Sequence, residues 1–265
     1  MALADILTTI RGRALGLNNR GDLITRRGFA VGEPGTALYF NSPNHVVQHD
    51  HFTGDVVADQ WNYTEGTDTT TADGAIVEGV NGVFRLTAGD SAGTVAADGA
   101  QLNSALNWKA SSGELIFQAR VKLASITSVS CFIGLTDTKA LEQAIHSAAS
   151  ANTITTNATD AVGFFFDTNM TDDTWWMAGV KNDVDATHQN STYAPVADTY
   201  EVFRIEVDTS GNAVFYRNGK QVGTTMSNAL TASVALTPSF LIRPLSAVAG
   251  KTMDIDYVYV SSLMV

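Results

Sequence analysis

The chain has 265 residues, 45% of them hydrophobic and only 16% charged, with a net charge of −11. That length can bury a substantial core, and no apolar run approaches the roughly 20 residues that span a bilayer. The single cysteine, Cys131, excludes an intramolecular disulfide and a cysteine-based zinc site.

The charge is uneven. Residues 1–49 hold five arginines (Arg11, Arg13, Arg20, Arg26, Arg27) against Asp5, Asp22 and Glu33, a net +2, which leaves −13 for the remainder. A region at −13 repels nucleic acid and anionic membrane, so neither is an expected partner. The asymmetry suggests that the two segments meet different partners. Met1–Asp5 has no basic stretch leading into an apolar one, so no secretory leader is expected.

In chain order, Leu3, Ile6, Leu7, Ile10 and Ala14 recur at helical spacing and allow a short amphipathic helix broken near Gly12 or Gly16. Turn-rich stretches follow, separated by short extended pieces such as Leu23–Thr25. Residues 1–50 therefore read as an N-terminal docking arm with little regular structure, which orders against another surface through its arginines and Phe29, Leu38, Tyr39 and Phe40.

Residues 51–265 read as one all-β domain. Leu115, Phe117, Ala119, Val121 and Leu123 alternate with polar residues, as do Phe203, Ile205 and Val207. Met253, Ile255, Tyr257 and Tyr259 alternate with Asp254 and Asp256, which predicts that all four face the core. Val162–Phe166 and Trp175–Val180 look like central strands, apolar on both faces. Asn218-Gly219 between extended flanks is the strongest hairpin signal in the chain. One helix is expected within Thr138–Ser150, from Leu141, Ala144, Ile145 and Ala148. The sum is a two-sheet antiparallel jelly-roll sandwich preceded by an extended arm.

Four stretches carry a resemblance: Gly113–Lys122, Phe132–Asp137, Ala161–Thr168 with Trp175-Trp176, and Val202–Asn218 leading into Gly219. With the closing strand Met253–Val260, they resemble the concanavalin A-like, or laminin-G-like, jelly roll in the version found in tailed-bacteriophage virion proteins. The resemblance implies a fold whose members include carbohydrate binders, glycoside hydrolases, adhesive domains and virion decoration proteins. It does not fix a function.

Hydrolysis of glycans on the fold that the chain resembles is that of the laminarinase group, which sets carboxylates as Glu-x-Asp-x-x-Glu along one strand, and no segment has that pattern. Glu201 and Glu206, five apart on one strand, must face opposite sides. Gly89-Asp90-Ser91-Ala92-Gly93 fits the nucleophile-elbow pattern in letters, but the residues after it make a poor helix. Ala249-Gly250-Lys251-Thr252 ends like a phosphate loop but lacks its first glycine. His49 and His51 flank Asp50 and could share one side of an extended segment, though a solvated linker is the plainer reading. Asp167, Asp172, Asp173, Asp183 and Asp185 supply carboxylates for calcium without a calcium-loop pattern. Trp175 and Trp176 are adjacent, so on a strand they point to opposite faces, and one could face a ligand, though core packing of both is the plainer reading.

The expectation from sequence is a non-enzymatic virion protein without metal or cofactor. It would decorate the capsid surface after synthesis in the host cytoplasm. Its partners would be the major capsid protein and further copies of itself, as a trimer. The alternative is a carbohydrate- or receptor-binding module of a tail or fibre, taking surface glycans.

Overall fold

The computed structural model describes residues 15–17, 23–25, 45–55, 57–67, 73–78, 81–90, 94–147, 152–248 and 250–263. The chain divides into two compact units, Met1–His45 and Val46–Val265. In the first, β1 (Leu15–Leu17) and β2 (Leu23–Thr25) pair antiparallel with Leu15 opposite Thr25. Gly16 therefore lies in a strand. The helix expected before it falls outside the described residues, as do all nine docking residues from Arg11 to Phe40.

The second unit is a sandwich of two antiparallel sheets. In chain order its strands are β3 (His45–Asp50), β4 (Asn62–Glu65), β5 (Asp73–Val77), β6 (Val83–Thr87), β7 (Ala100–Asn103), β8 (Leu115–Leu123), β9 (Val129–Thr136), β10 (Ile145–Ser147), β11 (Ile154–Thr156) and β12 (Ala161–Asp167). They continue as β13 (Trp176–Lys181), β14 (Val184–Asp185), β15 (Gln189–Asn190), β16 (Tyr200–Val207), β17 (Ala213–Arg217), β18 (Lys220–Met226), β19 (Thr237–Pro244) and β20 (Thr252–Leu263). The first sheet runs β14-β13-β12-β9-β19-β7-β4, with β15 also on β13. The second runs β18-β17-β16-β8-β20-β6-β5, with β3 also on β20. One turn of helix, α1 (Val95–Asp98), precedes β7.

Period-two alternation explains why these residues make these sheets. On β8 and β16 the apolar residues named above all point inward, with Phe117 opposite Ile205 and Ala119 opposite Phe203. Facing them, β9, β12 and β19 present Ile133, Phe164 and Phe240 in register. The Phe164 ring sits 4.9 Å from Phe203 and 5.3 Å from Phe215, joining the two sheets. Phe117 meets Phe240 at 5.8 Å, and Trp175 meets Phe203 at 4.6 Å. Cys131 lies in the same layer, fully buried, and burial pushes its thiol far above the usual range.

The Asn218-Gly219 hairpin forms as expected, with both residues at positive φ (50° and 77°), the geometry that a two-residue turn between twisted strands requires. The Asn218 side-chain oxygen also accepts from the Val202 N–H at 2.8 Å, tying the turn to β16.

Two expectations are corrected. No helix forms in residues 138–147; the segment turns and ends in β10, which pairs with β11. Its apolar residues bury in extended form: Ala144 and Ile145 cover Phe132, Phe165, Trp176 and Leu241 on the outer face of the first sheet. Short apolar spacing fits either structure, and the sheet beneath decides. On β20 the pairing with β8 shifts between Ile255 and Tyr257. This bulge reverses the phase, so Val258 and Val260 enter the core while Tyr257 and Tyr259 turn to the outer face.

Phe164→Ala is expected to destabilise the protein by about 3–5 kcal/mol, the usual cost of deleting a buried aromatic ring. Urea unfolding measures it, and a loss below about 1 kcal/mol would mean that the inter-sheet ring cluster is not the main tie.

Candidate functional site

The two outer sheet faces differ. The first sheet's is covered by the segment that carries β10 and β11, and beneath that cover lies a buried polar network. Gln143 Nε2 donates to Ser130 Oγ at 2.6 Å, and Ser130 Oγ donates to Asp167 Oδ2 at 2.7 Å. Arg243 lies 4.0 Å from the same carboxylate, and burial holds its guanidinium below the usual range despite that charge. The backbone N–H of Glu142 donates to Gln101 Oε1, and Asn103 Nδ2 donates to the Lys139 carbonyl. These bonds pair part of the polar atoms that the cover has removed from water and fix where it sits, while Gln101 Nε2, Gln143 Oε1 and Arg243 Nε are buried without a hydrogen bond among the described residues.

The second sheet's outer face holds an open groove lined by Val77, Glu78 and Asn81 at one end and by β6, β8, β16 and β20 side chains along it. Alternation places Arg85, Arg120, Lys122, Tyr200 and Asp254 on one face, and the bulge adds Asp256. Arg85 grips Asp254 with two hydrogen bonds, at 2.6 and 2.9 Å, and Lys122 Nζ stands 3.1 Å from the same carboxylate. Arg120 donates to Asp256 at 2.6 Å, and its guanidinium lies 4.1 Å from the centre of the Tyr200 ring. Burial alone would raise the Asp254 pKa, but hydrogen bonds and charge from Arg85 and Lys122 outweigh it and hold the carboxyl below its usual range.

Along the same face Gln118 Nε2 donates to the Tyr257 hydroxyl at 2.7 Å. His49 and His51 meet there, with ring centroids 4.5 Å apart, against Tyr257 and Tyr259. His49 lies in a strand paired with β20, which corrects the reading of a solvated linker for that residue, whereas His51 follows the strand and is exposed. Burial, then the charge of His51, keeps the His49 pKa below its usual value against the pull of Asp50.

Trp175 is a core residue, 1% exposed, and Trp176 is buried on the covered face, so neither aromatic stands open to a ligand. Trp175 Nε1 donates to Glu201 Oε2 at 2.8 Å, and Arg217 pairs with Glu201 from the other side. Glu201 is buried and Glu206 is not, on opposite faces as their spacing requires. Ser91 lies outside the described residues. Lys251 staples a loop by donating to Ser125 Oγ and the Thr127 carbonyl. Among the described residues no three His, Cys, Asp or Glu side chains converge as a metal site, so the five aspartates considered for calcium are not gathered into one. Sequence reasoning missed the groove because its pairs come from β6, β8, β16 and β20, up to 169 residues apart. The one local signal was Asp254-x-Asp256 beside a phase change.

No family description and no curated protein sequence matches the chain. Solved structures do. A β-glucanase of Bacillus licheniformis superposes with a TM-score of 0.54 at 12% identity, covering 81% of this chain and 97% of the enzyme. An endo-1,3-β-glucanase of Streptomyces sioyaensis gives 0.56 at 11%, covering 89% and 100%. The carbohydrate recognition domain of Emp47p gives 0.57 at 8%, covering 85% and 100%. The fold is the concanavalin A-like jelly roll. The expectation of a non-enzymatic protein is corrected by these neighbours, since several are glycoside hydrolases and the fold is one on which that chemistry runs. At such identities the likeness is one of fold alone.

Because Asp254 has a depressed pKa when folded, its contribution to stability is present above the unfolded value, about 3.9, and is lost as pH falls through the lower folded value. Asp254→Asn is therefore expected to be less stable than the parent at pH 7 but to lose less on acidification from pH 5 to 3. Unfolding free energies at a series of pH values measure both slopes; equal slopes would place the acid-sensitive group elsewhere.

Proposed function

We propose that this chain is a structural protein of a tailed-bacteriophage virion, a decoration or cement protein on the capsid surface. The segment before the jelly roll anchors it to the major capsid protein, and the acidic jelly roll stands outward. The supporting observation is the division of the chain. The unit Val46–Val265 has its own two-sheet core, with described core residues running from Phe52 to Val260. The unit before it carries the five arginines, a net +2, and Phe29, Leu38, Tyr39 and Phe40. Opposite charge and separate compactness suit an anchor and a projecting head. Many copies, each bridging capsid subunits, multiply a modest gain per copy. The head assembles with copies of itself as a trimer.

A chain lacking residues 1–44 is expected to keep the circular dichroism of a β protein and to lose at least about tenfold in occupancy on particles. Quantitative mass spectrometry of purified virions measures it. Full occupancy by the truncated chain would remove the anchoring role, and absence of the parent chain from virions would remove the whole reading.

A second reading, a glycan-binding module, is favoured by the open groove around Tyr200, where the partly exposed Arg85 and Arg120 are held in place by the buried Asp254 and Asp256, and by neighbours that include a carbohydrate recognition domain and glucanases. It predicts glycan-array binding that falls at least tenfold in Tyr200→Ala. Hydrolysis of a β-glucan, if that is the groove's activity, is expected to disappear in Asp254→Asn or Asp256→Asn. No retained glycan and no released sugar would count against this reading.

A further inference from the structure

We propose that His49 and His51 form a two-imidazole site for one divalent transition-metal ion of the zinc, nickel or copper class. The residues are two apart, His49 in β3 and His51 directly beyond its last residue, and their rings meet on one side of the backbone. Their centroids lie 4.5 Å apart with the rings at 78° to one another. Two ligand nitrogens around a tetrahedral ion at about 2.0–2.1 Å per bond lie ~3.3 Å apart, a separation that two imidazoles at this centroid distance can reach by side-chain rotation.

The residue between them fixes this geometry. Asp50 points the other way, where Oδ1 accepts from the Phe52 N–H at 2.7 Å and Oδ2 accepts from Gln60 Nε2 and Trp61 Nε1 at 3.0 and 2.8 Å. Three bonds to one carboxylate hold the backbone that presents both imidazoles, so little ordering remains to be done when an ion arrives. Tyr257 and Tyr259 wall the inner side, 5.7–6.3 Å from the histidine rings, and His51 is exposed on the outer side. Ring nitrogens without a carboxylate in the set favour zinc, nickel and copper and disfavour calcium and magnesium. Water completes the coordination, and the ion ties the end of β3 to the segment that follows it.

The test is zinc titration of the full chain by calorimetry in a non-chelating buffer, with calcium run alongside. One zinc per chain with micromolar affinity is expected, and no calcium uptake. His49→Asn and His51→Asn are each expected to weaken zinc at least tenfold, whereas His45→Asn leaves it unchanged. Zinc is also expected to raise the unfolding temperature of the parent but not of the double variant. On the unmodified chain, substoichiometric nickel is expected to broaden the imidazole NMR signals of His49 and His51 before those of His146 and His188. No saturable zinc uptake below 1 mM, uptake undiminished in the double variant, or broadening that starts at other histidines would each overturn the site.

Discussion

Everything in the second unit depends on burying one layer of rings between two sheets. Phe117, Phe203 and Phe215 on one side meet Phe164 and Phe240 on the other, and Trp175 closes the end of the stack. Each ring removes roughly 150–250 Å² from water, a larger contribution than any single surface pair offers. Strand order, register and side-chain facing are then fixed together, because a slip of one residue would turn all of these rings to the solvent. The surface features inherit their precision from that layer. Arg85, Lys122 and Asp254 meet because their strands cannot slide.

The two outer faces have been put to different uses. The first sheet is apolar outside as well as inside, so a folded-back segment seals it, with Gln143, Ser130 and Asp167 paired beneath the seal. A buried carboxylate with hydroxyl, amide and guanidinium neighbours is costly unless the whole set is held in place. Among the described residues no such segment covers the charged groove of the second sheet. Its side chains are paired to each other across strands and remain partly open to solvent, and the histidine pair lies on the same side.

Much of the fold was legible in the sequence. Strict alternation over Leu115–Leu123 and Phe203–Val207 identified two strands with one buried face, and Asn218-Gly219 located the hairpin turn between β17 and β18. The failures have physical causes. Leu141, Ala144 and Ile145 have a spacing that suits a helix, but an apolar sheet face lay beneath them and they flattened onto it. Tyr257 and Tyr259 were placed inside because a bulge has no signature in hydrophobicity. The groove was the least legible part, since an arginine and an aspartate 169 residues apart carry no mutual signal until the strands pair. Glu201 could be placed on the inner face by counting, but its bond to Trp175 could not be read that way.

The lone thiol has a practical meaning that follows from where it sits. Cys131 lies in the ring layer with no exposed surface and with its ionisation suppressed by burial. The folded molecule therefore behaves toward thiol reagents as though it had no cysteine at all. A cysteine introduced anywhere on the open face would be a single point of attachment, so dyes, spin labels or crosslinkers could be seated one per chain without altering the native sequence elsewhere.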